Sequence, residues 1–149
     1  MVRSHVLSAA LCSALALALL GASAALAQPD PVATRKDGLK RMQGHLEAIN
    51  PVATAGGNVR DMVPRTDDMI AFFTSFPSHF PPGSDNNGSK ALPSVWADRP
   101  GFEAAAANAV TAATALRTAA ASGDAAATAQ AARAMGGACG ACHRNYRGR

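Results

Sequence analysis

Residues 138–147 read Ala-Cys-Gly-Ala-Cys-His-Arg-Asn-Tyr-Arg. Cys139 and Cys142 stand three apart, and His143 follows at once. On a helix, side chains at that spacing share a face about one turn from each other. Two thiols and an imidazole therefore emerge along one edge. Gly140 and Ala141 between them are small enough to let a flat body lie close to the backbone. Cys-x-x-Cys-His is the sequence at which a heme c is attached, the thiols adding to its two vinyl groups and the histidine taking the iron from one side. Two other readings compete with it. A redox dithiol belongs at a strand-to-helix junction, whereas this run comes late in a helical stretch. A structural zinc site needs four ligands, and downstream of residue 27 only His45 and His79 remain to complete one. The motif stands at the C-terminal end, so any second axial ligand must come from upstream.

Working back from the motif, the chain reads as helices throughout. Alternating runs rich in β-branched residues are missing. The fourth helix is capped by Asp124 and runs to about Tyr146, with Gly148 after it. Ser122-Gly123 separates it from a third helix over about Gly101–Ala121, with Phe102, Val110, Ala113 and Leu116 along one side. Both helices are rich in alanine, which favours helix and leaves room for a bulky planar cofactor. A loop from Phe76 to about Pro100 precedes them. It is unusually long for a compact domain, and such loops are often functional. The second helix spans about Val59–Ser75, with Met62, Met69, Ile70 and Phe73 as its stripe and Pro64 disturbing its first turn. The first spans about Pro31–Ala55, with Asp30 as N-cap and Pro31 at the first position. Val32, Leu39, Met42, Leu46 and Ile49 repeat along one of its faces, and Pro51 is expected to kink or fray its end. Four helices of this size, each roughly 25–35 Å long at ~1.5 Å per residue, predict an all-α, antiparallel four-helix bundle around a covalently bound heme.

Residues 1–27 have the layout of a secretory signal peptide. Arg3 supplies the positive start, Val6–Leu20 the apolar stretch, and Ala25-Leu26-Ala27 the small-x-small cleavage pattern. Gln28, Pro29 and Asp30 follow directly, with no positive stop-transfer cluster, so no membrane anchor is expected after cleavage. Residues 28–149 then form one c-type cytochrome domain, exported to the periplasm. Loss of Arg3 lowers the formal charge from +4 to +3, and two heme carboxylates offset most of that. No basic run with interleaved aromatics is present, so nucleic acid is not an expected partner.

Three segments together carry a family resemblance. They are Arg35-Lys36-Asp37-Gly38-Leu39 with Met42, Pro93-Ser94-Val95-Trp96 with Phe102, and Cys139 to His143 with Tyr146-Arg147. In these the chain resembles the class II cytochromes c, and above all the cytochrome c′ family. The resemblance implies roles for single residues. Arg35 lies near a heme carboxylate, assisted by Lys36. Leu39 covers the open face of the iron, and Met42 borders the same pocket. Trp96 and Phe102 pack in the core and touch the heme, and Arg147 flanks the imidazole of His143. Leucine cannot ligate, so the iron is expected to be five-coordinate, high-spin and open to NO and CO. O₂ is disfavoured for want of a distal donor. The alternative is a six-coordinate, low-spin electron carrier with Met42 as sixth ligand. An enzyme is not expected, since no distal acid–base residue faces the iron unless His45 swings in. The resemblance further implies a homodimer through the first two helices and a redox partner that remains unidentified. Intact-mass analysis of the exported protein should find a chain that begins at Gln28 and carries one heme.

Overall fold

Asp30 and Asp124 each receive a backbone N–H from the first turn they precede, Val32 N and Ala127 N, both at 2.9 Å. These carboxylates start the first and last long helices, α1 (Pro31–Thr54) and α5 (Ala125–Tyr146), by satisfying donors the helix itself cannot. The structure, a computed structural model, describes residues 30–86 and 88–149. The signal peptide expected over residues 1–27 lies outside the described residues. Between the two ends come α2 (Val63–Ser75), the single turn α3 (Ser94–Ala97) and α4 (Arg99–Ser122). Short 3₁₀ turns, Val59–Met62 and Phe76–His79, flank α2. Among the described residues there is no strand, only an isolated bridge between Ala91 and Arg147.

α1, α2, α4 and α5 form the expected antiparallel four-helix bundle. Gly123, at φ 82°, occupies the left-handed position that ends α4 and turns the chain straight into α5. α4 lies against both α2 and α5, and α1 reaches α5 and α2. The core runs through Ile49, Met69, Phe102, Leu116 and Met135, all at most 1% exposed. At Gly38, α1 packs directly against the ring of Phe72 on α2. A Cβ there would clash with the ring of Phe72, so a side chain would displace that ring.

Several local expectations shift. Pro51 stays inside α1, which continues to Thr54, although the proline withholds its own N–H from the helix. α4 starts two residues early, at Arg99, since Asp98 rather than a later residue caps it by accepting from Gly101 N. The 76–100 segment is less irregular than its prolines suggest. It holds the 3₁₀ turn and α3, and it wraps an aromatic cluster in which Phe76, Phe80 and Phe102 meet edge to face or tilted, with ring centroids 4.8–5.9 Å apart.

On the outer face of α1 and α2, Asp68 accepts from Arg41 Nε and pairs with His45 Nε2, both at 2.7 Å. Arg41, then His45, hold its carboxyl below the usual carboxylate range. A depressed carboxyl contributes stability above its unfolded pKa, near 4, and loses that contribution as pH falls through the folded value. The group is partly exposed, so solvent screens the gain. Thermal unfolding followed against pH should therefore show Asp68→Asn less stable than wild type above about pH 5, with the two curves converging in acid.

Candidate functional site

The inward faces of α4 and α5 carry small residues where a bundle normally interdigitates large ones. Ala105, Ala106 and Ala109 on α4, with Gly136 and Ala138 on α5, leave a lateral cavity of about 740 Å³. That is within the roughly 300–1,000 Å³ of ligand sites. Met69, Phe73, Phe76, Phe80 and Phe102 close its apolar end.

α5 delivers Cys139, Cys142, His143 and Tyr146 to this cavity, and Arg147 follows at its edge. Both thiols are free and half-buried. Burial pushes each up from its ordinary pKa, and the neighbouring Cys139 adds to the effect on Cys142. They stand as neutral thiols at neutral pH. Partial burial, and then the positive charge of Arg147, push the His143 imidazole down. A neutral imidazole has a lone pair free for a metal. The last turn of α5 is held from outside. The Tyr146 hydroxyl donates to Asp98 at 2.8 Å, Leu92 N donates to the Tyr146 carbonyl, and Ser94 Oγ to the Asn145 carbonyl.

α1 forms another wall. Leu39 and Leu46 are only half-buried despite lying on its apolar face, because that face opens onto the cavity. Met42 borders the same space but is sunk in the core, 3% exposed. Gln43, which the sequence reading did not single out, lies one turn beyond Leu39 and also lines the cavity. The signal was its i+4 spacing from Leu39. Lys36, Lys40, Lys90 and Arg147 stand around the mouth, and no carboxylate lines the cavity.

Two expected site residues sit differently. Trp96 lies outside the cavity, in a separate shallow cleft beside Pro81 and Pro93, and its indole N–H donates to the Pro81 carbonyl at 3.2 Å. Phe80 and Phe102 fill the space between it and the bundle interior, so it packs on Phe80 instead. Arg35 does line the cavity, but its guanidinium is already occupied. It donates to the His79 carbonyl at 3.1 Å, to Ser84 Oγ at 2.9 Å, to the Ser84 carbonyl and to Ser89 Oγ. It also rests 4.4 Å from the centre of the Phe80 ring. Only 3% of Arg35 is exposed, and burial lowers its pKa against the opposing pull of Asp30 and Asp85.

His45 is bound to Asp68 and His79 stacks on Phe72. Among the described residues no group of three His, Cys, Asp or Glu side chains is placed to hold a metal ion, so the zinc reading lacks its ligands. The donor set fits a heme instead. It offers two adjacent thiols and one neutral imidazole on a single helix, apolar walls, and cations at the mouth for two carboxylates.

A four-helix bundle whose last helix presents Cys-x-x-Cys-His to a lateral apolar cavity defines the class II c-type cytochromes. The chain belongs to the cytochrome c′ family, whose sequence model matches residues 30–147. It is similar in structure to cytochrome c′ from Thermochromatium tepidum, at 30% identity over 80% of this chain and 95% of that one, with a TM-score of 0.73. A cytochrome c′ with an unusual ligand-controlled dimer dissociation is 26% identical over 80% of this chain and 95% of that one, with a TM-score of 0.74. A ferrous cytochrome c′ variant from Alcaligenes xylosoxidans with bound NO is 24% identical over 80% of this chain and 94% of that one, with a TM-score of 0.72, a likeness of fold. No protein with a curated description matches the sequence.

Replacing Arg35 by alanine leaves the carbonyls of His79 and Ser84 without their charged donor. Hydrogen bonds to charged groups contribute about 1.5–3 kcal/mol each. Arg35→Ala should therefore lower the denaturant midpoint and open residues 81–91 to limited proteolysis well before the rest of the bundle.

Proposed function

We propose that this chain is an exported c-type cytochrome that carries one heme through Cys139 and Cys142, with His143 as the axial ligand of a five-coordinate, high-spin iron, and that it binds small diatomic gases such as NO and CO. The observation that carries the reading is the cavity itself. One wall presents the two thiols and a neutral imidazole, while the α1 wall presents Leu39 and a Met42 buried in the core. Bound there, a heme supplies an iron centre for ligand capture and one-electron exchange.

This chain's own residues do the rest. Cys139 and Cys142 would hold the heme covalently as thioethers. Partial burial, and then the charge of Arg147, favour a neutral His143 that is able to ligate. Leu39 and Leu46 keep the α1 wall apolar, and a leucine offers the iron no donor atom. Lys36, Lys40 and Lys90 at the mouth offset the heme carboxylates, a role that Arg35 shares only if it gives up loop contacts. Turnover chemistry is not part of the reading. His45, the acid–base group considered for the distal side, does not line the cavity and is tied to Asp68 at 2.7 Å.

The relative with bound NO lends support to the choice of ligand. The relative with ligand-controlled dimer dissociation supports a homodimer, here through α1 and α2. The periplasmic location rests on the signal-like residues 1–27 followed by a single domain over residues 28–149; among the described residues no helix is long and apolar enough to cross a membrane. A purely electron-carrying, low-spin form would need Met42 to leave the core and reach the iron. Its presence on the cavity wall is the one observation in favour of that form.

Absorption spectra of the oxidised and dithionite-reduced protein, with and without CO, test the proposal. A broad high-spin reduced spectrum that changes on adding CO is expected. A sharp low-spin α band unmoved by CO would assign Met42 to the iron instead. Cys139→Ala and Cys142→Ala together should leave any bound heme extractable by acidic organic solvent.

A further inference from the structure

Arg35 reaches the far side of the cavity through a single hydroxyl. Its guanidinium donates to the His79 carbonyl, to Ser84 Oγ, to the Ser84 carbonyl and to Ser89 Oγ, and all of these acceptors are neutral. The Ser89 oxygen also accepts the Ala91 N–H, at 3.1 Å. A hydroxyl has two lone pairs, and here both are used. The residues just beyond Ser89 lie against the end of the chain. Ala91 forms an antiparallel bridge with Arg147, Leu92 N donates to the Tyr146 carbonyl at 3.0 Å, and Gly148 N donates to the Lys90 carbonyl at 2.8 Å. Arg147 N in turn donates to the His143 carbonyl at 3.2 Å, which closes the turn that carries His143. Arg35, Ser89, Lys90, Ala91, Tyr146 and Arg147 all border the cavity, and Arg35 stands one helical turn before Leu39. The wall that holds Leu39 and the turn that holds His143 are thus connected around the mouth by way of Ser89.

We propose that Ser89 is a positioning residue for His143: held by Arg35, it clamps residues 90–92 onto the end of α5 and so fixes how the imidazole is aimed into the cavity. The inference rests on His143 being the axial ligand of a five-coordinate iron, as proposed above, and adds what holds it in place. His143 is exposed, so side-chain packing alone does not fix its ring, and the backbone of the last turn must. That turn is the part of α5 that the clamp grips, through the bonds at Tyr146 and Gly148. Arg147, whose charge acts on the imidazole, is carried by the same bridge. Ser84 and His79 serve a different purpose. They anchor the earlier part of the loop to Arg35 and do not touch the chain's end. Loss of the Ser89 hydroxyl therefore cuts the link to His143 and leaves the loop attached to α1.

The test compares the reduced holoprotein with Ser89→Ala, which lacks the hydroxyl, and Ser89→Thr, which keeps it. Amide hydrogen exchange is the first readout. The N–H groups of Leu92 and Gly148 should exchange about 2- to 10-fold faster in Ser89→Ala, the worth of one net hydrogen bond, while that of Ala113 in the core of α4 keeps its wild-type rate. The second readout is the iron–imidazole stretch in the resonance Raman spectrum, which reports how the ring meets the iron. It should shift or broaden in Ser89→Ala and return to the wild-type position in Ser89→Thr. Arg35→Lys, which cannot reach all four acceptors, should move the stretch in the same sense as Ser89→Ala. Faster exchange with an unchanged stretch overturns the inference and leaves Ser89 as a structural contact of the loop. Unchanged exchange at Leu92 and Gly148 overturns it as well, since the clamp then does not depend on the hydroxyl. A wild-type protein that shows no iron–imidazole stretch and a low-spin spectrum sinks the five-coordinate reading itself, and the inference with it.

Discussion

Small side chains facing one another hold the rest of this structure in place. Protein interiors normally pack to the density of organic crystals, and helices close until they do. Here Ala105, Ala106 and Ala109 on α4 and Gly136 and Ala138 on α5 give α1 nothing large to close against, and a cavity of about 740 Å³ stays open between them. An apolar space of this size forgoes dispersion contacts along its whole lining. A flat, largely apolar cofactor would restore those contacts and complete the core.

The cavity keeps its shape because both of its ends are fastened. At one end, Phe76, Phe80 and Phe102 pack edge to face or tilted, and Tyr146 joins them through Phe102. At the mouth, Arg35 gathers the carbonyls of His79 and Ser84 and two serine hydroxyls onto α1. The same loop then pairs with the chain's end, where Gly148 N donates to the Lys90 carbonyl at 2.8 Å. The residues that follow His143 are thereby tied to the segment that borders the mouth. A buried guanidinium demands acceptors, and in this fold the long loop provides them.

Much of this was legible in the sequence. Caps at Asp30 and Asp124, the α-helical periods and the Cys-x-x-Cys-His run are local signals, and local physics decides them. Leu39 and Leu46 show where local reading stops. Both belong to the apolar stripe of α1, yet they are half-buried where Val32 and Ile49 are buried, because a stripe does not say which part faces a neighbour and which a cavity. Trp96 was expected at the heme, but it packs on Phe80 in a separate cleft, a placement that the fold of the 76–100 segment decides.

The sequence by itself determined the class of fold and the Cys-x-x-Cys-His run on its last helix. Helix periodicity, capping and the spacing of two thiols and a histidine act over four residues or fewer. Only the tertiary structure decided what occupies Arg35. Those contacts join α1 to residues 79–89, some 40 to 55 positions away, and such partners are set by how whole helices pack rather than by any neighbour along the chain.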